Sequence, residues 1–230
     1  MSPRRQASAN TESVDNYLKA ILTLGGREES RVTIKSLAER LRVAPASVTN
    51  MLQKLAGSPA TLVDYERHGG VQLSPSGKRR ALEVVRHHRL IETFLYEVLD
   101  YPLEEVHDEA ERLEHFISER FEDRVAAILG NPTIDPHGHA IPQKYEAGVF
   151  RNDAPLTQWP PLEPAVITSV SDRDADVLRE LDRLGIKPGI AVIVEAKATG
   201  KSLRVKLQNG TGPVVLSSDL ADCIFVVAER

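Results

Sequence analysis

The chain has 230 residues, 41% of them hydrophobic and 27% charged, with a formal net charge of −4. That suits a globular protein with room for two or three cores. It excludes a membrane helix, because no apolar run approaches the roughly 18–20 residues required. The single cysteine, Cys223, excludes an intrachain disulfide and a cysteine-rich zinc module. With no secretory signal pattern at the start, the expected compartment is the cytoplasm.

The charge is unevenly placed. Residues 1–80 hold 13 Lys+Arg against 7 Asp+Glu, a net of +6, and residues 81–230 hold 16 against 26, a net of −10. A basic first third on an acidic body points to nucleic acid as its partner.

In chain order, residues 1–11 are expected to lack regular structure. A first helix is predicted from about Ser13 to Leu24, with Val14, Tyr17, Leu18, Ile21 and Leu22 on its apolar face and Gly25-Gly26 as its stop. Thr33 caps a second helix, Ile34 to Leu41. After the turn Arg42-Val43-Ala44, Pro45 opens a third helix that ends at Gly57. Two helices joined by a tight turn form the helix-turn-helix layout. Val48, Met51, Leu52 and Leu55 face inward. The candidate DNA contacts are Pro45 and the outward Ser47, Thr49, Asn50, Gln53 and Lys54, since short polar side chains near the start of a recognition helix suit base edges and phosphates. Strand patterns at Leu62 to Arg67 and Val71 to Leu73 flank Gly69-Gly70. They make a hairpin wing with Arg67 and His68 near its tip.

Ser74-Pro75 starts a helix running to about Leu99, and another is predicted from about Leu103 to Leu129. The first carries His88 and Glu92 inside an apolar stripe of Val84, Val85, Ile91, Leu95, Val98 and Leu99. The second carries His107, Glu111, Glu114 and His115 beside a stripe of Val106, Ala110, Leu113 and Ile117. At about 100° per residue these four fall within roughly a 100° arc and can face one spot. Glutamate-rich helix faces are ordinarily just solvated. What sets this run apart is the H-x-x-x-E-x-x-E-H spacing together with a second His/Glu pair on a core-facing stripe, where unpaired charge is costly. Carboxylates and imidazoles in such a set suit a divalent metal ion.

Residues 131–162 are rich in proline and turn formers, and carry the loop histidines His137 and His139 as possible extra ligands. Beyond them come a strand around Val166 to Val170, a helix from Ala175 to Leu184, and β-rich runs at Ala191 to Ala196, Leu203 to Leu207, Val214 to Leu216 and Ile224 to Ala228. These predict a small barrel. No Gly-rich phosphate loop and no nucleophile motif appears. The expected fold is mainly α with a small β part: a winged helix-turn-helix over 1–77, a helical metal-binding and dimerisation domain over 78–144, a linker over 145–162 and the barrel over 163–230.

The chain resembles the diphtheria toxin repressor family of metal-dependent transcriptional regulators. The resemblance rests on Val106-His107-Asp108-Glu109-Ala110-Glu111-Arg112-Leu113-Glu114-His115, on Asp135-Pro136-His137-Gly138-His139-Ala140-Ile141-Pro142, and on Arg86-His87-His88-Arg89-Leu90-Ile91-Glu92. Leu184-Gly185-Ile186-Lys187-Pro188-Gly189 resembles the Src-homology-3-type barrel of the longer members. The resemblance implies a homodimer that binds a palindromic double-stranded operator when Mn²⁺ or Fe²⁺ is present, and that represses metal-uptake genes. It implies one site drawing on Glu111, Glu114, His115 and a first-helix residue, and a second drawing on His88, Glu92 and His107. In manganese-sensing members His88, Glu111, Glu114 and His115 share one binuclear cluster instead.

Three positions depart from that pattern. Glu111 stands where iron-sensing members have cysteine, which favours harder cations such as Mn²⁺. Asn16 aligns with a first-helix Met or Asp ligand, with Asp15 adjacent. The barrel ligands align with Asp174 and Val177, of which only the aspartate can ligate. Two other readings compete with the metal-sensing regulator: a helix-turn-helix regulator answering a non-metal effector, and a His/Glu metalloenzyme, which leaves the basic helix-turn-helix unexplained.

Overall fold

The computed structural model describes residues 3–26, 29–144, 153–198, 202–208, 210 and 212–229, with 3–10 described by backbone alone. The chain forms two compact units. The first comprises Met1–His88, Glu111–Arg124 and Ile141–Phe150, and the second Arg89–Ala110, Val125–Ala140 and Arg151–Arg230. Among the described residues no helix is long and apolar enough to cross a membrane.

The first unit is built on α1 (Pro3–Gly25), α2 (Ile34–Leu41), α3 (Pro45–Ala56) and the hairpin β1 (Val63–Glu66) and β2 (Gly70–Leu73). The α1 helix begins earlier than expected: Ala7 and Ala9 among Arg4, Arg5 and Gln6 are good helix formers, and Pro3 suits a first turn. Gly26 ends it at φ +60, with its N–H bonding Leu22 O. The Thr33 hydroxyl accepts from Ser36 N, and Pro45 opens α3 as read from the sequence. Leu18, Leu37, Val48 and Leu52 are fully buried and join Val63, Val71 and Ala81 in one core. That core sets α3 and the wing on a common base. Val32 bridges to Val71 on both sides, at 2.8 and 2.9 Å, so the strand before α2 pins the wing.

Three helices contribute to both units: α4 (Pro75–Leu99), α5 (Val106–Leu113) and α6 (Glu119–Ile128). The single helix expected over 103–129 is two, broken at Glu114-His115-Phe116. Ser118 is the reason, since its Oγ accepts from Phe121 N and Glu119 and Glu122 fill the first turn of α6. At the end of α4, Val98 and Leu99 are 44% and 50% exposed rather than buried in the stripe.

The second unit holds a six-stranded antiparallel sheet of order β3-β8-β4-β5-β6-β7. Its strands are β3 (Ala154–Pro155), β4 (Pro164–Val170), β5 (Ala191–Ala198), β6 (Ser202–Leu207), β7 (Pro213–Ser217) and β8 (Ile224–Ala228), with α7 (Ala175–Arg183) and the short α8 (Ser218–Ala221). Alternate residues such as Leu203, Val205 and Leu207 point into a core with Ile167, Leu178, Leu216, Ile224 and Val226. The sheet starts earlier than the expected 163. Ala154–Pro155 pair with β8 and Leu156 is buried in the same core, while residues 145–152 lie outside the described residues.

Candidate metal centres and nucleic-acid interface

In the first unit, α1 presents Asp15, Asn16 and Lys19 on one face. Opposite them lies the turn after α5, closed by Phe116 N on Leu113 O. Glu114 in that turn is 1% exposed. Its Oε2 lies 2.6 Å from Nδ1 of His88, and its Oε1 lies 2.7 Å from Lys19 Nζ and 3.3 Å from His115 Nε2. Lys19 Nζ is also 2.5 Å from Glu111 Oε1. His115 Nε2 donates to Asn16 Oδ1 at 3.1 Å, and its Nδ1 is 3.6 Å from Asp15 Oδ2. Ligand atoms of His88, Glu111 and Glu114 lie within 4.8 Å of one another.

Most of the charged groups in this cluster are paired. Burial raises the Asp15 carboxyl, but hydrogen bonds with His115 and with Arg80, 2.6 Å away, outweigh it and hold the group below the usual carboxylate value. For Lys19, burial works against the ammonium, and the Glu114 and Glu111 carboxylates outweigh it, so its pKa is raised. A cleft of about 360 Å³, lined by Asp15, Arg79, Arg80, His87, Glu114 and His115 among others, gives a route from solvent.

The second unit gathers another set. Nδ1 of His107 is 3.1 Å from Glu92 Oε1 and 3.8 Å from Asp172 Oδ2. The turn Asp135-Pro136-His137-Gly138-His139 brings two more imidazoles to it. Asp135 Oδ1 accepts from the backbone N of both His137 and His139 at 2.9 Å, and Gly138 supplies a φ of +91. His137 Nδ1 lies 3.8 Å from Glu92 Oε1, and His139 Nδ1 lies 3.7 Å from Asp172 Oδ2. Arg89 pairs with Asp135 at 3.5 Å and donates to Ala140 O, which ties the turn to α4. Nε2 of His137 donates to Leu103 O at 3.3 Å, and in the neutral ring that bond leaves the lone pair on Nδ1. Burial pulls the His139 pKa down, and the Asp135 and Asp172 carboxylates raise it above the ordinary value. Burial pushes Asp172 up, and His139 and His107 bring it below the ordinary carboxylate value.

Both sets fit a divalent ion of the Mn²⁺ or Fe²⁺ type. The donors are carboxylates, imidazoles and an amide oxygen, with no thiolate. Nδ1 of His115 in the first unit, and Nδ1 of His137, Nδ1 of His139 and Oδ2 of Asp135 in the second, are buried with ion-pair partners at 3.4–3.8 Å, beyond close hydrogen-bond range. Buried polar atoms so loosely held are rare in native interiors, and metal ligation is one reason to keep them. A hydrogen bond from the ring's other nitrogen, such as that from His137 to Leu103 O, is how ligating imidazoles are ordinarily oriented.

Of the expected ligands, Asn16, His88, Glu111, Glu114 and His115 come together in the first unit, and Glu92 and His107 lie in the second. His107 therefore parts from the three residues with which it shared a helix face. Asp174 is exposed and serves as the N-cap of α7, accepting from Asp176 N and Val177 N. Asp172, two residues earlier, is the acid that approaches His107 and His139. Sequence reasoning passed over Asp172 and Lys19. No periodicity marks Asp172, which lies on a loop, and Lys19 reads as a solvated lysine until α5 is seen beside it.

The helix-turn-helix presents Pro45, Ser47, Asn50, Gln53 and Lys54 to solvent, while Thr49 is half-buried with its hydroxyl on Pro45 O at 3.1 Å. Arg67 and His68 are exposed at the wing tip. Arg31 holds the wing's shape, donating from Nε to Gly69 O at 3.1 Å and pairing through Nη1 with Asp64 at 2.8 Å. The β1–β2 register runs from Val63↔Leu73 to Glu66↔Gly70.

A winged helix-turn-helix and carboxylate–imidazole clusters in one chain define a class, the DNA-binding regulators that answer to metal ions. Known sequences agree. Residues 10–71 match the iron dependent repressor N-terminal DNA binding domain, residues 74–143 its metal binding and dimerisation domain, and residues 154–228 the FeoA domain. The iron-dependent repressor IdeR of Mycobacterium tuberculosis is 32% identical over 202 residues, covering 82% of this chain and 86% of that protein. The diphtheria toxin repressor of Corynebacterium diphtheriae is 31% identical over 144 residues, 62% of each chain. A solved manganese-dependent transcriptional repressor in complex with manganese superposes with a TM-score of 0.85 at 36% identity, covering 94% of this chain and 100% of that one. The chain belongs to the iron-dependent repressor family of metal-dependent, DNA-binding transcriptional repressors.

Proposed function

We propose that this protein senses Mn²⁺, with Fe²⁺ as the second candidate, in the cytoplasm, and as a homodimer represses genes of metal-ion homeostasis, metal uptake among them. It acts by binding and has no catalytic activity. Its working divisions are a DNA-binding part over 1–77, a metal-binding and dimerisation part over 78–144, and a β part beyond the segment 145–162. The exposed apolar side chains of Tyr96, Val98, Leu99, Phe116, Phe121 and Ile128 supply dimer contacts.

The observation that carries the reading is Glu114, one buried carboxylate whose two oxygens serve His88 on α4 and Lys19 and His115 beside α1. Asn16, His88, Glu111, Glu114 and His115 form the first donor set, and Glu92, His107, Asp135, His137, His139 and Asp172 the second, with Asp174 left as a helix cap. When bound, the ion supplies positive charge and a shared attachment point for these donors. Asn16 offers an amide oxygen from the same helix that packs on the helix-turn-helix core. Glu111, Glu114 and His115 offer theirs from the turn after α5. Holding these together fixes α1, and through Leu18 and Ile21 the base on which α3 rests. A ligand that binds the DNA-competent arrangement better raises its population. Ser47, Thr49, Asn50 and Gln53 then meet base edges, and Pro45, Lys54 and Arg67 the backbone. The lack of a thiolate at position 111 favours Mn²⁺ over Fe²⁺.

The test is fluorescence anisotropy on DNA from upstream of the protein's own neighbouring genes and of metal-transport genes. It is run with chelator, Mn²⁺, anaerobic Fe²⁺ and Zn²⁺. Operator binding that appears with Mn²⁺ and vanishes with chelator supports the reading. Equal binding under chelator replaces it with a constitutive or organic-effector regulator.

A further inference from the structure

Lys19 is a cation inside a set of metal-type donors. Its Nζ lies 2.5 Å from Glu111 Oε1 and 2.7 Å from Glu114 Oε1, and its side chain is 14% exposed. It follows Asn16 by three residues and Asp15 by four, so one face of α1 offers an amide oxygen, a carboxylate and an ammonium. Glu114 divides its oxygens, Oε2 toward His88 and Oε1 toward Lys19 and His115. The ammonium fills the point from which a cation would bridge Glu111 to Oε1 of Glu114.

The local charge count follows. Asp15 is matched by Arg80. Taken by themselves, the two carboxylates of Glu111 and Glu114 and the ammonium of Lys19 carry one net negative charge. One divalent ion turns that into a single positive charge. A second ion leaves three positive charges around a carboxylate that is 1% exposed, where uncompensated charge is costly. With a glutamate at position 19 the cluster carries three negative charges, and two ions bring it to the same single positive charge.

We propose that Lys19 is a specificity-determining residue of the metal response: its ammonium is the built-in second cation of the Glu111/Glu114 cluster and restricts that cluster to a single divalent ion. This rests on the reading of the cluster as a metal site. It says nothing of the second-unit set, which holds no lysine among the residues described around it.

The test loads the full-length protein with Mn²⁺, removes unbound ion by gel filtration, and measures Mn²⁺ per subunit together with the electron paramagnetic resonance of the bound ion. Glu114→Ala is expected to lose one ion per subunit relative to wild type, whose cluster shows no exchange-coupled pair. Lys19→Glu is expected to gain one ion per subunit and an exchange-coupled signal. Lys19→Met removes the charge and adds no donor, so it is expected to keep the wild-type stoichiometry with roughly tenfold tighter Mn²⁺ binding. A coupled pair in the wild type overturns the proposal even if Lys19→Glu does not fold. So does wild-type affinity in Lys19→Met, or a folded Lys19→Glu with wild-type stoichiometry. Loss of no ion in Glu114→Ala sinks the metal reading of the cluster and the role of Lys19 with it.

Discussion

Nδ1 of His88 lies 2.6 Å from Oε2 of Glu114, joining the middle of α4 to the turn that follows α5. Both side chains are buried. A carboxylate so placed needs its cationic and hydrogen-bonding partners, and a metal ion replaces them only by competing for the same oxygens. The first-unit carboxylates are therefore partnered in the metal-free protein and available for exchange. That arrangement suits a sensor better than a permanent structural site.

The donors beside that pair give the first prediction. Glu111→Ala combined with His115→Ala is expected to abolish the Mn²⁺-dependent rise in operator affinity while leaving weak, metal-independent DNA binding. Anisotropy titrations with and without chelator check this. A double variant that still responds fully to Mn²⁺ refutes the assignment of these ligands.

The second-unit set predicts a pH dependence. His139 has a raised pKa in the metal-free protein, so its proton must leave before Nδ1 can ligate. Mn²⁺ affinity there should climb as pH rises through that value and fall at lower pH. Stability of the metal-free protein runs the other way for this group. A raised histidine stabilises fully below the ordinary value near 6.5 and loses that contribution as pH rises through its folded value. Asp172, held below the ordinary carboxylate value, stabilises above that value and loses it as pH falls through the folded one. Thermal melts of the metal-free protein across pH should lose the alkaline part of this profile in His139→Ala. An unchanged profile contradicts the pairing.

Gly138 is a structural test of the same set. It sits at φ +91, and a Cβ there would lie 2.1 Å from Thr168 O. Gly138→Ala must shift the Asp135–His139 turn, moving both imidazoles. The expected result is a destabilisation of at least about 1–3 kcal/mol and loss of the Mn²⁺ held by the second-unit set. Denaturant melts and Mn²⁺ stoichiometry read the two effects separately. Retention of every bound ion would mean that the turn is not needed for ligation.

Arg86, His87 and Glu122 form a buried knot. Arg86 Nε lies 2.5 Å and His87 Nε2 3.0 Å from the Glu122 carboxylate, and Arg86 also donates to Pro142 O at 2.9 Å. Glu122→Ala leaves a buried guanidinium without its acid, at an expected cost of about 3–5 kcal/mol. A urea melt showing less than about 1 kcal/mol would place this knot in solvent-like surroundings.

At the DNA surface, Lys54→Ala and Arg67→Ala should each lower the slope of log affinity against log salt by about 1, uniformly across sequences. Asn50→Ala should cost about 1–3 kcal/mol on the operator and little on unrelated DNA. Unchanged slopes in both basic variants would remove those side chains from the phosphate contacts.

Much of the architecture was legible in the chain. Thr33, Pro45 and Gly26 act locally, through a hydroxyl, a fixed φ and a tolerated positive φ, so the helix-turn-helix follows from nearest neighbours. The alternation in 203–207 marks a strand because side chains on a strand alternate between faces. The break between α5 and α6 was also written there, in Ser118 followed by Glu119 and Glu122, but the unbroken apolar pattern from Val106 to Ile117 masked it.

What the sequence determined by itself is the set of elements and the chemical kind of the ligands. Helical spacing, caps and turns depend on residues a few positions apart, and donor identity is the residue itself. The meeting of His107 with Glu92 was implied by the resemblance, and the structure brings those two together. Only the tertiary structure decided the rest: Asp172, and not Asp174, lies beside His107 and His139, and Lys19 enters the carboxylate pair of Glu111 and Glu114. The physical reason is that spacing along a helix reports which face a side chain occupies, while a metal set is chosen by which faces pack together and by where each helix stops.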